Sequence, residues 1–189
     1  MATALRHGIT PEVIADAAAA IADREGIGAV SLARLAAMLG IKPPSLYKHV
    51  DGLDAIRAML TRRGLAEANA RLQRATVGRS RNDALIALAH AYWDFARARP
   101  GLYAASLRPI PAGDREAAIA GEALLGTLSA VLAGYGLAGD DARHAMRGFR
   151  AIIHGFVSLD ATGAFRLRGD LAVSFDRLLA AFARDLGAR

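Results

Sequence analysis

Apolar residues recur along most of this 189-residue chain at the three- and four-residue spacing of α-helices, whereas the alternation typical of strands is nearly absent. In the first such segment, Val13, Ile14, Ala17 and Ile21 fall on one side of a helix that Thr10 can cap. Hydrophobic residues make up 53% of the chain but aromatic residues only 6%, a mixture that favours packed helices over sheets. The sequence therefore predicts an all-α protein.

Glycines, prolines and acidic residues divide the chain into about nine predicted helices. Proline is favoured in the first helical turn, glycine just past the last one, and acidic side chains near the positive end of a helix. The predicted helices cover residues 11–25, 32–39, 43–50, 53–74, 82–99, 101–107, 115–134, 140–159 and 170–186.

The second and third of these helices are separated by a short turn at Gly40, in the stretch GIKPPSLYKHV. Two prolines open the third helix, so Lys42 before them is expected to be extended. Leu46 and Val50 are spaced to face inward, which leaves mostly hydrogen-bonding side chains outside. This pattern predicts a helix-turn-helix whose second helix enters the DNA major groove. The alternative is a small helical bundle whose third helix merely has a polar face.

The segment VSLARLAAMLGIKPPSLYKHVDGLDAIRAML resembles the DNA-binding domain of TetR-family transcriptional regulators. The resemblance is close over residues 10–60 and rests on Gly40, Leu46, Tyr47, His49 and Val50 at these spacings. For the rest of the chain it extends only to helical character and length. It implies an N-terminal DNA-binding domain over residues 1–52 and a helical ligand-binding and dimerisation domain over residues 53–189.

The resemblance also implies which residues face DNA, and their chemistry agrees. Lysine and serine side chains can reach guanine acceptors or phosphates, and the proline offers apolar contact to a thymine methyl. Tyrosine and histidine are suited to holding phosphates, and the second helix begins with a serine whose backbone N–H can do the same. The predicted DNA-facing residues are Ser31, Arg34, Lys42, Pro43, Ser45, Tyr47, Lys48 and His49.

One position departs from the family pattern. Family members usually carry a phosphate-binding lysine just inside the fourth helix, where this chain has Leu53 between Asp51 and Asp54. Arg57 could replace that lysine only by reaching back one turn. The net charge of the whole chain is +6, but residues 1–68 hold eight Lys/Arg against seven Asp/Glu. Each DNA-binding domain should therefore bind weakly alone and depend on a dimer that contacts two half-sites of a palindromic operator.

Aromatic and histidine side chains cluster in the C-terminal two-thirds, where the resemblance implies a small-molecule pocket. Ligand pockets are mostly apolar, with a few polar groups that orient the ligand. Ordinary core packing explains any single one of these residues equally well. The residues chosen as ligand-binding candidates are His90, Tyr92, Trp93, Tyr103 and Phe149.

The last two long helices carry apolar stripes, and the resemblance implies that such a pair forms a four-helix dimer interface. Core packing within one chain would produce similar stripes. The dimer candidates are Ile153, Val157, Phe175, Leu178, Leu179 and Phe182.

The predicted function is that of a sequence-specific transcriptional regulator, a dimeric repressor that an unknown small molecule releases from its operator. The alternative is a non-specific or structural DNA-binding protein without ligand control. An enzyme is disfavoured because the chain lacks the GxSxG, HExxH, P-loop and dinucleotide-binding motifs. His90–Asp94 and Asp140–His144 each have i,i+4 spacing, which a helix-surface hydrogen bond explains better than catalysis.

No cofactor, metal site or membrane partner is predicted. The chain has no cysteine, which excludes disulfides and thiolate zinc sites. No apolar run reaches the roughly 20 residues needed to cross a bilayer, and the N-terminus lacks the ordered regions of a signal peptide. These observations predict a cytoplasmic protein.

Overall fold

A computed structural model describes residues 8–188, and within that range the chain forms nine α-helices and no strand, which confirms the predicted all-α fold. A short 3-10 turn, Ile27–Ala29, links the first two helices. The helices are α1 Pro11–Glu25, α2 Leu32–Leu39, α3 Pro43–Leu46, α4 Gly52–Thr76, α5 Arg81–Ala98, α6 Pro100–Ser106, α7 Arg115–Ala133, α8 Gly139–Ala161 and α9 Leu171–Gly187.

The helices group into two compact units by their packing. The first unit holds the chain up to Ala66 together with Arg99–Gly121, and the second holds Glu67–Ala98 together with the chain from Glu122 onward. The long helices α4 and α7 each supply residues to both units. The predicted boundary after residue 52 stays a prediction, since this grouping reports packing and not independent folding.

The first unit has an apolar core to which its first four helices contribute. Thr10 caps α1, its side-chain oxygen accepting a hydrogen bond from the backbone N–H of Val13 at 3.4 Å. The core consists of apolar side chains from α1, α2, α3 and α4, all without solvent exposure: Ile14, Leu35, Leu46, Ile56 and Leu60.

The second unit packs α5 against α8 and α9 around aromatic side chains. Trp93 on α5 lies edge-on to Phe156 of α8 and to Phe175 of α9, with ring centroids 5.1 and 5.0 Å away. The indole N–H of Trp93 donates to Asp160 Oδ2 at 2.7 Å, so the one polar atom of the ring is satisfied. These contacts set the positions of the three helices in this unit.

Among the described residues, one helix, α7, has the length and apolar composition that a membrane span requires. Core helices of soluble proteins meet the same two criteria, so this is weak evidence for a span.

Candidate nucleic-acid interface

The turn between α2 and α3 depends on the backbone of Gly40. Its φ of 68° and ψ of 29° lie in the left-handed region, which glycine adopts without a steric penalty. The N–H of Gly40 donates to the carbonyl of Ala37 at 3.3 Å, and that of Ile41 donates to the carbonyl of Ala36 at 3.0 Å. This pair of bonds is a Schellman motif, which ends α2 and turns the chain toward α3.

The predicted third helix is shorter than the two turns expected from the sequence. Lys42 is extended, as expected before a proline, and only Pro43–Leu46 form a regular α-helix. The chain still curls beyond it, because the N–H groups of His49 and Val50 both donate to the carbonyl of Leu46, at 2.9 and 3.0 Å. Gly52, with a φ of 82°, is the first residue of α4.

Exposure separates the two sides of this segment as the sequence predicted. Leu46 and Val50 are buried and anchor the segment to the first unit. Tyr47 is 60% exposed, a large value for an aromatic side chain. Of the residues predicted to face DNA, Ser31 and Ser45 are half-buried and the others are exposed: Arg34, Lys42, Pro43, Tyr47, Lys48 and His49.

The cations near this surface differ in whether an acid already binds them. Arg34 pairs with Glu25, and the Nη1 of Arg57 lies 3.0 Å from Asp54 Oδ1. Arg57 therefore does reach back one turn, but to a carboxylate. Lys42 and Lys48 form no ion pair with any residue between 8 and 188, so both remain available to phosphates or base edges.

The start of α2 is arranged for a different contact. The side-chain oxygen of Ser31 accepts a hydrogen bond from the backbone N–H of Arg34 at 3.3 Å, and the first turn of α2 contains no acidic residue. The positive end of this helix is therefore not neutralised, which favours an approaching phosphate.

Comparisons with known proteins identify the family. A protein-family model described as "Tetracyclin repressor-like, C-terminal domain" matches residues 85–182. The uncharacterized HTH-type transcriptional regulator YobS of Bacillus subtilis is 39% identical over 182 residues, which cover 96% of this chain and 94% of that protein. The chain belongs to the TetR family.

Two further comparisons agree with this assignment. The uncharacterized HTH-type transcriptional regulator Rv0681 of Mycobacterium tuberculosis is 38% identical over 156 residues, which cover 82% of this chain and 72% of that protein. A solved structure of a protein with unknown function from Rhodococcus sp. RHA1 shares the fold, with a TM-score of 0.80, 24% identity, and coverage of 96% and 97% of the two chains. The predicted DNA-binding transcriptional regulator is thereby confirmed, and dimers that respond to ligands are typical of its family.

The five ligand candidates of this TetR-family regulator are divided between the two units. Tyr92, Trp93 and Phe149 are buried in the core of the second unit. His90, also in that unit, pairs through Nε2 with Asp176 Oδ1 at 2.6 Å, whereas Tyr103 lies on α6 in the first unit. Burial fits both core packing and the wall of a pocket, so ligand binding by these residues stays a prediction.

The structure instead shows a cleft in the second unit that none of the five candidates lines. Its volume is about 570 Å³, and it lies between the end of α4, the start of α5 and one side of α7. Small residues on α7 border this space, and their helical spacing is a sequence signal for it: Ala123, Gly126 and Ala130.

The dimer candidates divide in a similar way. Ile153, Val157, Phe175 and Leu179 are buried inside the second unit, so they belong to its own core and are not available to a partner. The remaining two are Leu178, which is exposed, and Phe182, which is half-buried and stacks on Phe149 with ring centroids 6.0 Å apart.

The two histidine–aspartate pairs spaced by four residues do not form in the part of the chain that the structure describes. His90 bonds to Asp176 and not to Asp94, and Asp140 pairs with Arg143 and not with His144. Within residues 8–188 no group of three His, Asp or Glu side chains is placed to hold a metal ion. Burial, with a smaller contribution from the nearby Arg150, lowers the pKa of His154 to about 4, so this histidine is neutral at pH 7.

Proposed function

We propose that this regulator is a cytoplasmic, non-enzymatic dimeric repressor that binds a palindromic operator and leaves it when a small molecule binds the second unit. The observation that carries the proposal is the surface from Lys42 to His49. It is exposed, it follows the glycine turn of a helix-turn-helix, and its two lysines have no acid partner among the described residues.

The chemistry of this surface supports both parts of DNA recognition. Lys42 and Lys48 can donate to guanine acceptors or phosphates, and Ser45 can donate to either. Tyr47 and His49 hold phosphates and so set the register, while Pro43 contacts a thymine methyl. Ser31 offers the N-terminus of α2 to a phosphate, and Arg34 helps only if it leaves Glu25.

We place the dimer interface on the outer sides of α8 and α9. Leu159 is 46% exposed and Leu178 39% exposed, although both are large apolar side chains. On α8, Ala151 and Gly155 precede Leu159 at intervals of four residues, and a Cβ on Gly155 would meet no atom within 4 Å. A second copy packed against these small residues would approach closely and cover both leucines.

Light scattering of eluted peaks tests this interface. The double variant Leu159→Glu/Leu178→Glu should elute as a monomer with wild-type helical circular dichroism. Ile119→Glu is the matched control, because Ile119 is also exposed but lies on α7 in the first unit, and it should remain a dimer. A double variant that stays dimeric would place the interface elsewhere.

Selection of bound sequences from a random DNA pool, at near-physiological salt, tests operator binding. The expected result is a palindrome with two half-sites. Lys42→Ala and Lys48→Ala should each weaken binding to the selected sequence by about 1–3 kcal/mol, the usual effect of losing a specific base contact. Arg108→Ala removes an exposed cation from the loop after α6 and should change nothing.

The selection also separates the proposal from its alternative. A non-specific DNA-binding protein would enrich no motif and would lose affinity steeply with salt. If both lysine variants bind the selected operator as tightly as the wild type does, the surface from Lys42 to His49 is not the DNA-contacting surface.

A further inference from the structure

The cleft of about 570 Å³ in the second unit has the size of a small-molecule site, but its lining is strongly biased in charge. Two arginines, Arg79 and Arg81, line it, and no aspartate or glutamate does. We infer that this cleft binds an amphipathic organic anion, a compound with one carboxylate, sulfonate or phosphate group and an apolar body. This inference rests on the proposed ligand-controlled function and names the chemical class of the ligand.

Arg79 is the cation best placed to select a charged ligand. It is exposed on the short loop before α5, and no residue between 8 and 188 forms an ion pair with it. Arg81 is held beside the cleft, since its guanidinium carbon lies 5.4 Å from the ring centroid of Tyr135. An arginine presents a planar set of N–H donors that matches the geometry of a carboxylate or phosphate group.

The start of α5 adds donors to the same side of the cleft. The cleft is lined by Ser80, Arg81 and Ala84, so the first turn of this 18-residue helix borders the cleft. The first N–H groups of a helix lack intrahelical partners, and the helix dipole makes this end positive. Asp83 lies in the same turn and opposes an anion, but it does not line the cleft.

The opposite wall of the cleft is apolar and suits the body of such a ligand. On α7 the small residues Ala123, Gly126 and Ala130 recur at helical spacing along the cleft, joined by Val131, and Gly134 follows in the turn after the helix. A Cβ on Gly126 would meet no atom within 4 Å, so the space over this residue is open. One wall therefore supplies charge and hydrogen-bond donors, and the other supplies apolar surface.

Anilinonaphthalene sulfonate is a suitable probe, because phenylnaphthylamine has the same aromatic body without the negative charge. Both become fluorescent in apolar surroundings, so titration of the full-length protein gives both affinities. Arg79→Glu should weaken sulfonate binding by tenfold or more and leave the neutral probe unchanged. Arg168→Glu makes the same charge change on an exposed residue outside the cleft and should alter neither affinity.

A second variant tests the location independently of charge. Gly126→Leu places a side chain in the open space over α7 and should abolish binding of both probes, with the helical circular dichroism retained. The inference would be overturned if the affinity for the sulfonate were unchanged in both Arg79→Glu and Gly126→Leu. It would also be overturned if Arg79→Glu weakened binding of the neutral probe as much as binding of the sulfonate.

The readouts keep this inference separate from the proposed function. Probe titration involves no DNA, and selection from the DNA pool involves no cleft ligand. A recovered operator with no anion in the cleft would refute only the inference. Anion binding with no enriched DNA sequence would refute only the proposed function.

Discussion

Gly101 is the position at which a single methyl group should destabilise the first unit most. It is the second residue of α6, and a Cβ built there would lie 2.2 Å from the backbone carbonyl carbon of Ala22 and 2.5 Å from the backbone nitrogen of Asp23, both on α1. Backbone atoms cannot turn aside as a flexible side chain can. Gly101→Ala must therefore move α6 away from α1 by about 1 Å to reach ordinary contact distance.

The displacement would also weaken the hydrogen bonds that join the two helices. The carboxylate of Asp23 accepts from the backbone N–H groups of Gly101 at 2.9 Å and Leu102 at 3.3 Å, and from Nε of Arg99 at 2.7 Å. Overpacking costs about 1–3 kcal/mol, and each charge-assisted bond that lengthens adds to it. After the gain of up to about 1 kcal/mol from replacing glycine in a helix, a net loss of about 3 kcal/mol is expected.

Urea unfolding followed by circular dichroism, at one fixed protomer concentration, measures this loss. Gly126→Ala is the matched control, because it is the same substitution in a helix with nothing within 4 Å of the new Cβ. The control should be more stable than the wild type by about 0.5–1 kcal/mol. If Gly101→Ala unfolds within about 0.5 kcal/mol of the wild type, the close approach of α1 and α6 does not hold in solution.

Two further predictions concern DNA affinity and pH. Leu53→Lys should restore the phosphate contact that the family pattern implies and so raise operator affinity. The slope of the logarithm of the association constant against the logarithm of salt concentration should steepen by about 0.9 for each added contact. Filter binding at several salt concentrations measures both effects. Because the pKa of His154 falls to about 4 in the folded state against 6.5 for a free histidine, its contribution to stability is full above pH 6.5. That contribution, about 1–3 kcal/mol for a partly buried group, is lost as the pH falls toward 4. Urea unfolding at a series of pH values should detect this loss in the free energy of unfolding of the wild type, and His154→Leu should lack it.

Local signals in the sequence were enough to predict the helices and the glycine turn between α2 and α3. The ends of α2 and α9 depend on single residues, Gly40 and Asp170, whose effects act within a few positions. The inward positions of α3 follow from its spacing alone, and both Leu46 and Val50 are buried. Such features need no knowledge of the tertiary fold, and the predicted helix bounds agree closely with the structure except at the short α3.

Features that depend on distant residues were not predictable in this way. His90 forms a hydrogen bond with Asp176, which is 86 residues away in the sequence, and not with Asp94, which is one turn along its own helix. On α8 the strong apolar stripe through Ile153 and Val157 marks the side that packs inside the second unit. An apolar stripe looks the same in sequence whether it packs inside one chain or against a second chain, so periodicity alone did not separate the two. The cleft likewise arises from the absence of side-chain volume, which no single motif records.

We propose that the ligand control suggested above acts through α4, because this one helix supplies residues to both units. It begins at Gly52, shortly after the surface from Lys42 to His49, and its last turns supply Gln73 and Thr76 to the cleft. A straight helix of this length spans about 37 Å, so a small tilt at one end becomes a larger displacement at the other. A ligand changes DNA affinity only if it has different affinities for two conformations of the protein, here conformations that differ in the orientation of α4.

Breaking that continuity should separate binding from control. Ala66→Pro kinks α4 at an exposed position between its two ends, and Ala66→Gly is a milder change that costs about 1 kcal/mol. In the wild type, saturating the cleft should weaken operator binding, and the operator should weaken cleft binding by the same factor. The kinked variant should still bind the cleft ligand with the wild-type affinity and, whatever its own operator affinity, the effect of one ligand on the other should shrink toward zero. An undiminished mutual effect in a folded Ala66→Pro variant would mean that control passes through α7 or the α1–α6 contact instead.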